Sequence, residues 1–179
     1  DGLDGMPVRD VVRLEVRMEN LPHLPRLHLL PQLRSLNFTG NKLTDLDPLK
    51  QCPLLEELVL DQNKLTSLRG VGRLGGLVVL RAVRNEISDA EDLSSLSSLR
   101  QLDLSINQLS SLHLAAPGLM KLQLQKNRLA STAFLQHLPA LVELHLGENQ
   151  LASVDARVSE WNPMLMKVFL WRNSLTSLP

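Results

Sequence analysis

Residues Leu33–Leu43 read LRSLNFTGNKL, and Leu55–Leu65, one interval on, read LEELVLDQNKL. The same phrase returns as LVVLRAVRNEI from Leu77, LRQLDLSINQL from Leu99 and LMKLQLQKNRL from Leu119. LVELHLGENQL from Leu141 and LMKVFLWRNSL from Leu165 complete the clear copies. A worn copy, VVRLEVRMENL from Val11, has Glu19 where the others carry asparagine. The starts step by 22, 22, 22, 22, 20, 22 and 24 residues. A fixed period of this size marks a chain built by stacking one small unit, since no unit can bury its apolar face alone.

Within each copy Leu36 and Phe38, or Leu102 and Leu104, alternate with polar neighbours. That is the pattern of a strand with one buried face, and each copy lays its strand beside the last, so one parallel sheet grows. The segments between copies carry apolar residues every third position: Leu21, Leu24, Leu27, Leu30 and Leu33, or Leu65, Leu68, Val71, Leu74 and Leu77. A period of three fits short 3₁₀ turns or extended pieces better than an α-helix with its period of 3.6. Pro22, Pro25, Pro31, Pro48, Pro53 and Pro139 all fall in these segments. Two copies depart from the rule. Residues 109–119 lose two positions around Ala115-Ala116-Pro117-Gly118, and residues 154–165 gain two around Trp161-Asn162-Pro163. Both read as variations of a surface loop.

The phrase L-x-x-L-x-L-x-x-N-x-L over residues 11–179 resembles the leucine-rich-repeat family. The resemblance implies an α/β repeat fold, a right-handed solenoid with one parallel concave sheet of about eight strands and 3₁₀ or irregular convex segments. It also implies that Asn41, Asn63, Asn85, Asn107, Asn127, Asn149 and Asn173 point inward and bond backbone groups of adjacent turns as a ladder. Buried amides must be paired, so these asparagines are structural and not ligand-binding. The repeat length and leucine spacing resemble the subclass of a protein phosphatase 1 regulatory subunit and a ciliary dynein light chain, which also takes in a spliceosomal partner protein and bacterial internalins. Residues 1–10 are then a lead-in, and 11–179 form one domain of eight repeats, the last incomplete.

Composition narrows the function. The chain's 179 residues hold 19 basic and 19 acidic side chains, spread evenly, which disfavours a nucleic-acid groove or an anionic membrane as partner. No apolar run is long enough to insert in a bilayer. Cys52 stands alone, so no internal disulfide forms; with Asp1, Asp4 and Asp10 where an apolar leader would lie, an intracellular location (cytoplasmic, cytoskeletal or ciliary, or nuclear) is expected. The triplet Asn37-Phe38-Thr39 is a formal glycosylation sequon inside a strand, and reads as chance.

No catalytic constellation, metal site or cofactor motif emerges. Asp103, Ser105 and His145 have the residue types of a hydrolytic triad, but strands stand about 4.8 Å apart, which leaves His145 two rungs from Asp103. Glu143 and His145 share a face, yet two ligands between Lys121 and Lys167 make a poor metal site. Gly70, Gly72, Gly75 and Gly76 lie in a convex loop and form no phosphate-cradling motif. The expectation is a module that binds and does not catalyse.

If the leucines point in, motif positions three, five, seven and eight face outward on the sheet. Two clusters there break a polar pattern. Val59, Val79, Val83 and Ile106 gather at mid-sheet with Arg81 and Arg84, and Phe169 and Trp171 project from the last strand beside His145 and Arg172. Aromatics and arginine are the residue types that anchor interfaces, so a protein partner is expected on this face. Rings on a last strand can equally pack against later residues. Solenoid ends need covering, and Leu170, Leu175 and Leu178 have no polar run after them, so further repeats or a cap are expected beyond residue 179.

Overall fold

The computed structural model describes residues 8–178. Of the lead-in, residues 1–7 fall outside the described residues, and Val8–Asp10 form one 3₁₀ turn. Among the described residues eight strands follow in chain order: β1 (Arg13–Glu15), β2 (Ser35–Asn37), β3 (Glu57–Val59), β4 (Val79–Arg81), β5 (Gln101–Asp103), β6 (Lys121–Gln123), β7 (Glu143–His145) and β8 (Lys167–Phe169). They make one parallel sheet in sequence order, β1 to β8. The register never slips: Leu14, Leu36, Leu58, Leu80, Leu102, Leu122, Leu144 and Val168 stand side by side across the sheet. Each strand centres on the second leucine of its motif, as the phrase predicts.

The strands are short because the motif ends them twice over. Position eight turns the backbone into the left-handed region at Gln62, Arg84, Ile106, Lys126, Glu148 and Arg172, with φ between 53° and 59°. Position nine is the asparagine, whose side chain fastens the turn to its neighbours. Asn127 is typical: its amide donates to the carbonyls of Leu104 and Leu124 at 3.0 Å, and its oxygen accepts the N–H of Leu109 at 3.0 Å. Asn41, Asn63, Asn127 and Asn149 are buried, while Asn85, Asn107 and Asn173 are half-buried. All seven make the same bonds to the turn before.

The leucines at positions one, four and six fill the interior together with the return segments. Leu55, Leu58 and Leu60 are fully buried, as are Leu77, Leu80, Leu99 and Leu104. Each such side chain contributes roughly 1.5–3 kcal/mol over its exposed state, before the entropy of ordering the chain. Return segments hold short 3₁₀ turns at Leu27–Leu29, Asp47–Gln51, Val71–Arg73, Glu91–Ser95 and Ala133–His137. Leu65, Leu68, Val71, Leu74 and Leu77 are all buried, which is the period of three made physical.

The two irregular copies differ in instructive ways. The segment between β5 and β6 is two residues short and buries Leu112, Leu114 and Ala116 at a spacing of two, the period of extended backbone, with no 3₁₀ turn. The long one adds a single turn of α-helix, α1 (Val158–Trp161), which the period-three reading did not predict. Behind it Asn162 is buried and donates to the carbonyls of Leu135 and Leu138 at 2.9 and 2.8 Å. It occupies the slot that Leu138 and Leu96 fill in other repeats.

Candidate functional site

Outward positions three and five lie on the strands, and seven follows each strand. The mid-sheet cluster is less open than the sequence suggests. Val59, Val79, Val83 and Ile106 are all half-buried, because neighbouring strands less than 5 Å apart cover most of a small side chain. Arg81 is exposed, but its guanidinium is bound to Asp61 at 2.9 Å. The other oxygen of Asp61 accepts the backbone N–H of Val83 at 2.9 Å, so this pair is tied into the sheet. Arg84 and Ile106 sit at the left-handed turns beyond the strand ends. For a β-branched side chain that conformation is strained, so Ile106 is held there by its surroundings.

Positions five and seven do not always face solvent. Asp103 and Ser105 are buried; the carboxylate of Asp103 accepts both the hydroxyl and the N–H of Ser105. Asn37 accepts from the hydroxyl and N–H of Thr39 in the same way, at 2.7 and 3.1 Å. A short acceptor two residues before a hydroxyl thus closes the end of the strand locally. The sequon asparagine is engaged in that closure.

The last two strands carry the open cluster. The register sets His145 beside Phe169, and their rings stack with centroids 4.3 Å apart and planes 20° from parallel. Phe169 is 40% exposed and Trp171 is 48% exposed. Trp171 lies flat over β7's extension because Gly147 has no side chain: a Cβ there would come within 2.4 Å of the indole. The guanidinium of Arg172 stands 5.7 Å from the Trp171 ring centre. Beneath the rings Glu143 is gripped on all sides, by Lys121 at 2.8 Å, His145 at 2.8 Å and Lys167 at 3.4 Å. The hydrogen bond from Lys121, then that from His145, holds its carboxyl down to about 2. Glu148 is shared by Lys126 at 3.4 Å and Arg172 at 3.7 Å.

The structure therefore brings His145, Phe169, Trp171 and Arg172 together. It leaves Val59, Val79, Arg81 and Val83 as a separate patch on and just after β3 and β4, with β5 and β6 between. Among the described residues no three His, Cys, Asp or Glu side chains gather as metal ligands would. Nor is any helix there long and apolar enough to cross a membrane.

One surface went unread in the sequence. Met120, Met164 and Met166 are 50%, 60% and 81% exposed along the flank where the chain enters the sheet. With Ala140, Val142 and Pro163 they line an open apolar groove of about 660 Å³. The signal was present at motif position two, where Met120, Val142 and Met166 replace the Arg34, Glu56 and Arg100 of earlier repeats.

Comparison with known proteins agrees with this geometry. A family model described as leucine-rich repeats, two copies, matches residues 31–72. Human leucine-rich repeats and immunoglobulin-like domains protein 1 is 34% identical over 107 residues, 55% of this chain and 10% of that protein. Rabbit lumican is 34% identical over 106 residues, covering 56% of this chain and 54% of lumican. The chain thus spans about half or less of these relatives. A crystallised internalin of Listeria monocytogenes superposes with a TM-score of 0.88 at 25% identity, over 95% of this chain and 50% of the internalin. Repeated phrase, unslipping parallel register and these likenesses make the fold a leucine-rich-repeat solenoid.

Proposed function

We propose that the chain is a protein-interaction module, an adaptor or a regulatory or scaffold subunit, which holds a protein partner on its concave sheet and performs no catalysis of its own. The observation that carries this reading is the exposed pair Phe169 and Trp171 on the sheet, with His145 and Arg172 beside them. Large rings held rigidly next to a guanidinium lose little entropy on binding and bury much area, which is what interface hot spots require. The half-buried valines of β3 and β4, with Arg81, form a second contact area in the same reading. The 3₁₀ convex segments are in keeping with the subclass of the phosphatase regulator and the ciliary light chain, and an intracellular setting, suggested by the lone Cys52, is part of the same reading.

A second reading is a receptor or adhesion repeat domain within a larger surface protein. The likeness to a human protein whose name joins such repeats to immunoglobulin-like domains favours it. Affinity capture tests the placement of the partner under either reading. The intact protein and a Lys50→Glu convex variant should retain the same partner, and a Phe169→Ala/Trp171→Ala variant should release it. Retention by the double variant and loss by the convex one would overturn the concave assignment. Tagging the natural gene and imaging its product separates the two settings.

A further inference from the structure

The charge of the concave face is unevenly distributed. Across the first five motifs the outward positions hold Arg13, Arg17, Arg81 and Arg84 against Glu15, Glu57, Asp61 and Asp103, an even balance. Across the last three they hold Lys121, Lys126, Lys167 and Arg172 against Glu143 and Glu148 alone. Those two carboxylates are each shared by two cations, so two positive charges stand uncompensated. Lys167 and Arg172 are the most open, at 61% and 75% side-chain exposure, and they flank the exposed rings of Phe169 and Trp171 on one strand.

Resting on the concave-face reading above, we infer that the β6–β8 end of the sheet binds a protein segment in which acidic residues flank one large apolar or aromatic side chain. The apolar residue sits on the rings, while the carboxylates meet Lys167, Arg172 and Lys126. Charge complementarity selects this occupant, because a neutral or basic segment would leave the excess cations desolvated without partners. A nucleic acid or an anionic membrane is the weaker match. Either needs many cations along a track, whereas here the excess is two and the chain as a whole is neutral. Glu143 and Glu148 also sit among these cations, paired with Lys121 and Lys126, and would repel a phosphate bound there.

A random-peptide phage library panned on the immobilised full chain tests this, followed by titration calorimetry with the synthesised winners. The expected winners are net acidic with one bulky apolar residue. Lys167→Glu/Arg172→Glu should weaken them roughly tenfold or more, Trp171→Ala should do the same, and the convex change Lys50→Ala should leave them unchanged. Binding should also fall as sodium chloride rises. Neutral or basic winners that still need Trp171 would overturn the inference and leave the concave reading standing. Winners insensitive to every concave variant, or no enrichment at all, would overturn both. Tighter binding of a single-stranded RNA oligomer or a phosphatidylserine vesicle than of any acidic peptide would overturn the peptide assignment.

Discussion

The side-chain amide of Asn63 donates at 3.0 Å to the backbone carbonyl of Phe38, 25 residues earlier, and its oxygen accepts the N–H of Leu43. One side chain thereby satisfies buried groups on two turns of the solenoid, including a second carbonyl at Leu60. Asn63→Ala leaves these groups buried and unpaired, and should cost about 1 to 3 kcal/mol in urea unfolding. Asn173 makes equivalent bonds at the last turn but is only half-buried, so water can replace its amide. Asn173→Ala should therefore cost less than Asn63→Ala. Equal losses would show that burial does not set the value of a rung.

These rungs also show how far the sequence could be read. Strand positions, parallel order and the return-segment period of the regular copies follow from spacing, because side-chain direction in a strand alternates strictly and the repeat departs from its length only in two return segments. Openness of the outward face does not follow. Val59, Val83 and Ser105 occupy outward positions, yet close strand spacing half-buries the valines and a local bond to Asp103 hides the serine. Phe169 and Trp171 stay open because they stand on or just past β8, which ends the described sheet and has a neighbouring strand on one side only. The α-turn at Val158–Trp161 was unreadable for another reason: two added residues can extend a loop or wind a turn, and only packing of Trp161 and Asn162 against the preceding repeat decides.

Glu143 makes the stability of the last repeats sensitive to acid. Its carboxyl is held down to about 2 against an ordinary 4.5, so the folded chain binds that proton more weakly than the unfolded one. The resulting stabilisation is complete above the ordinary value and is lost as pH falls through the folded one. Thermal melts of wild type and Glu143→Gln should differ at neutral pH, and the gap should close as pH approaches about 2. A constant gap would mean that the variant acts through packing and not through charge.

Cys52 is buried at the end of a 3₁₀ turn, in the slot that Leu30 and Leu74 fill elsewhere, and burial pushes its thiol up to about 11. A maleimide needs the thiolate and a path to it. The folded chain should resist labelling at mildly alkaline pH and react fully once unfolded in guanidinium. Rapid labelling of the native protein would mean that the Asp47–Gln51 turn opens far more readily than the rest of the core.

Ile106 sits at φ 58°, a conformation that costs an L-residue roughly 1–2 kcal/mol and a β-branched one the most. Ile106→Asn should relieve part of that strain and raise the urea midpoint, because asparagine tolerates the left-handed region. An unchanged or lower midpoint would show that the half-buried side chain contributes more by packing than its backbone loses.

Trp171 is the residue on which the proposed binding face most depends, and Gly147 offers a way to test it without removing the ring. A Cβ at Gly147 would come within 2.4 Å of the indole, while the glycine's own backbone is not in the left-handed region. Gly147→Ala therefore forces the indole off the strand and little else. If the rings serve binding, the variant should weaken the partner as much as Trp171→Ala does. Both should cost about 1 kcal/mol of stability or less, since a half-exposed ring forfeits little burial. If the rings belong to the fold, Trp171→Ala should instead approach the 3–5 kcal/mol typical of a core aromatic, and Gly147→Ala about 1–3 kcal/mol through overpacking. Urea melts of the two variants, read beside partner titrations, separate these cases. Loss of binding together with a core-sized loss of stability would return Phe169 and Trp171 to the fold and move the partner to Val59, Arg81 and Val83.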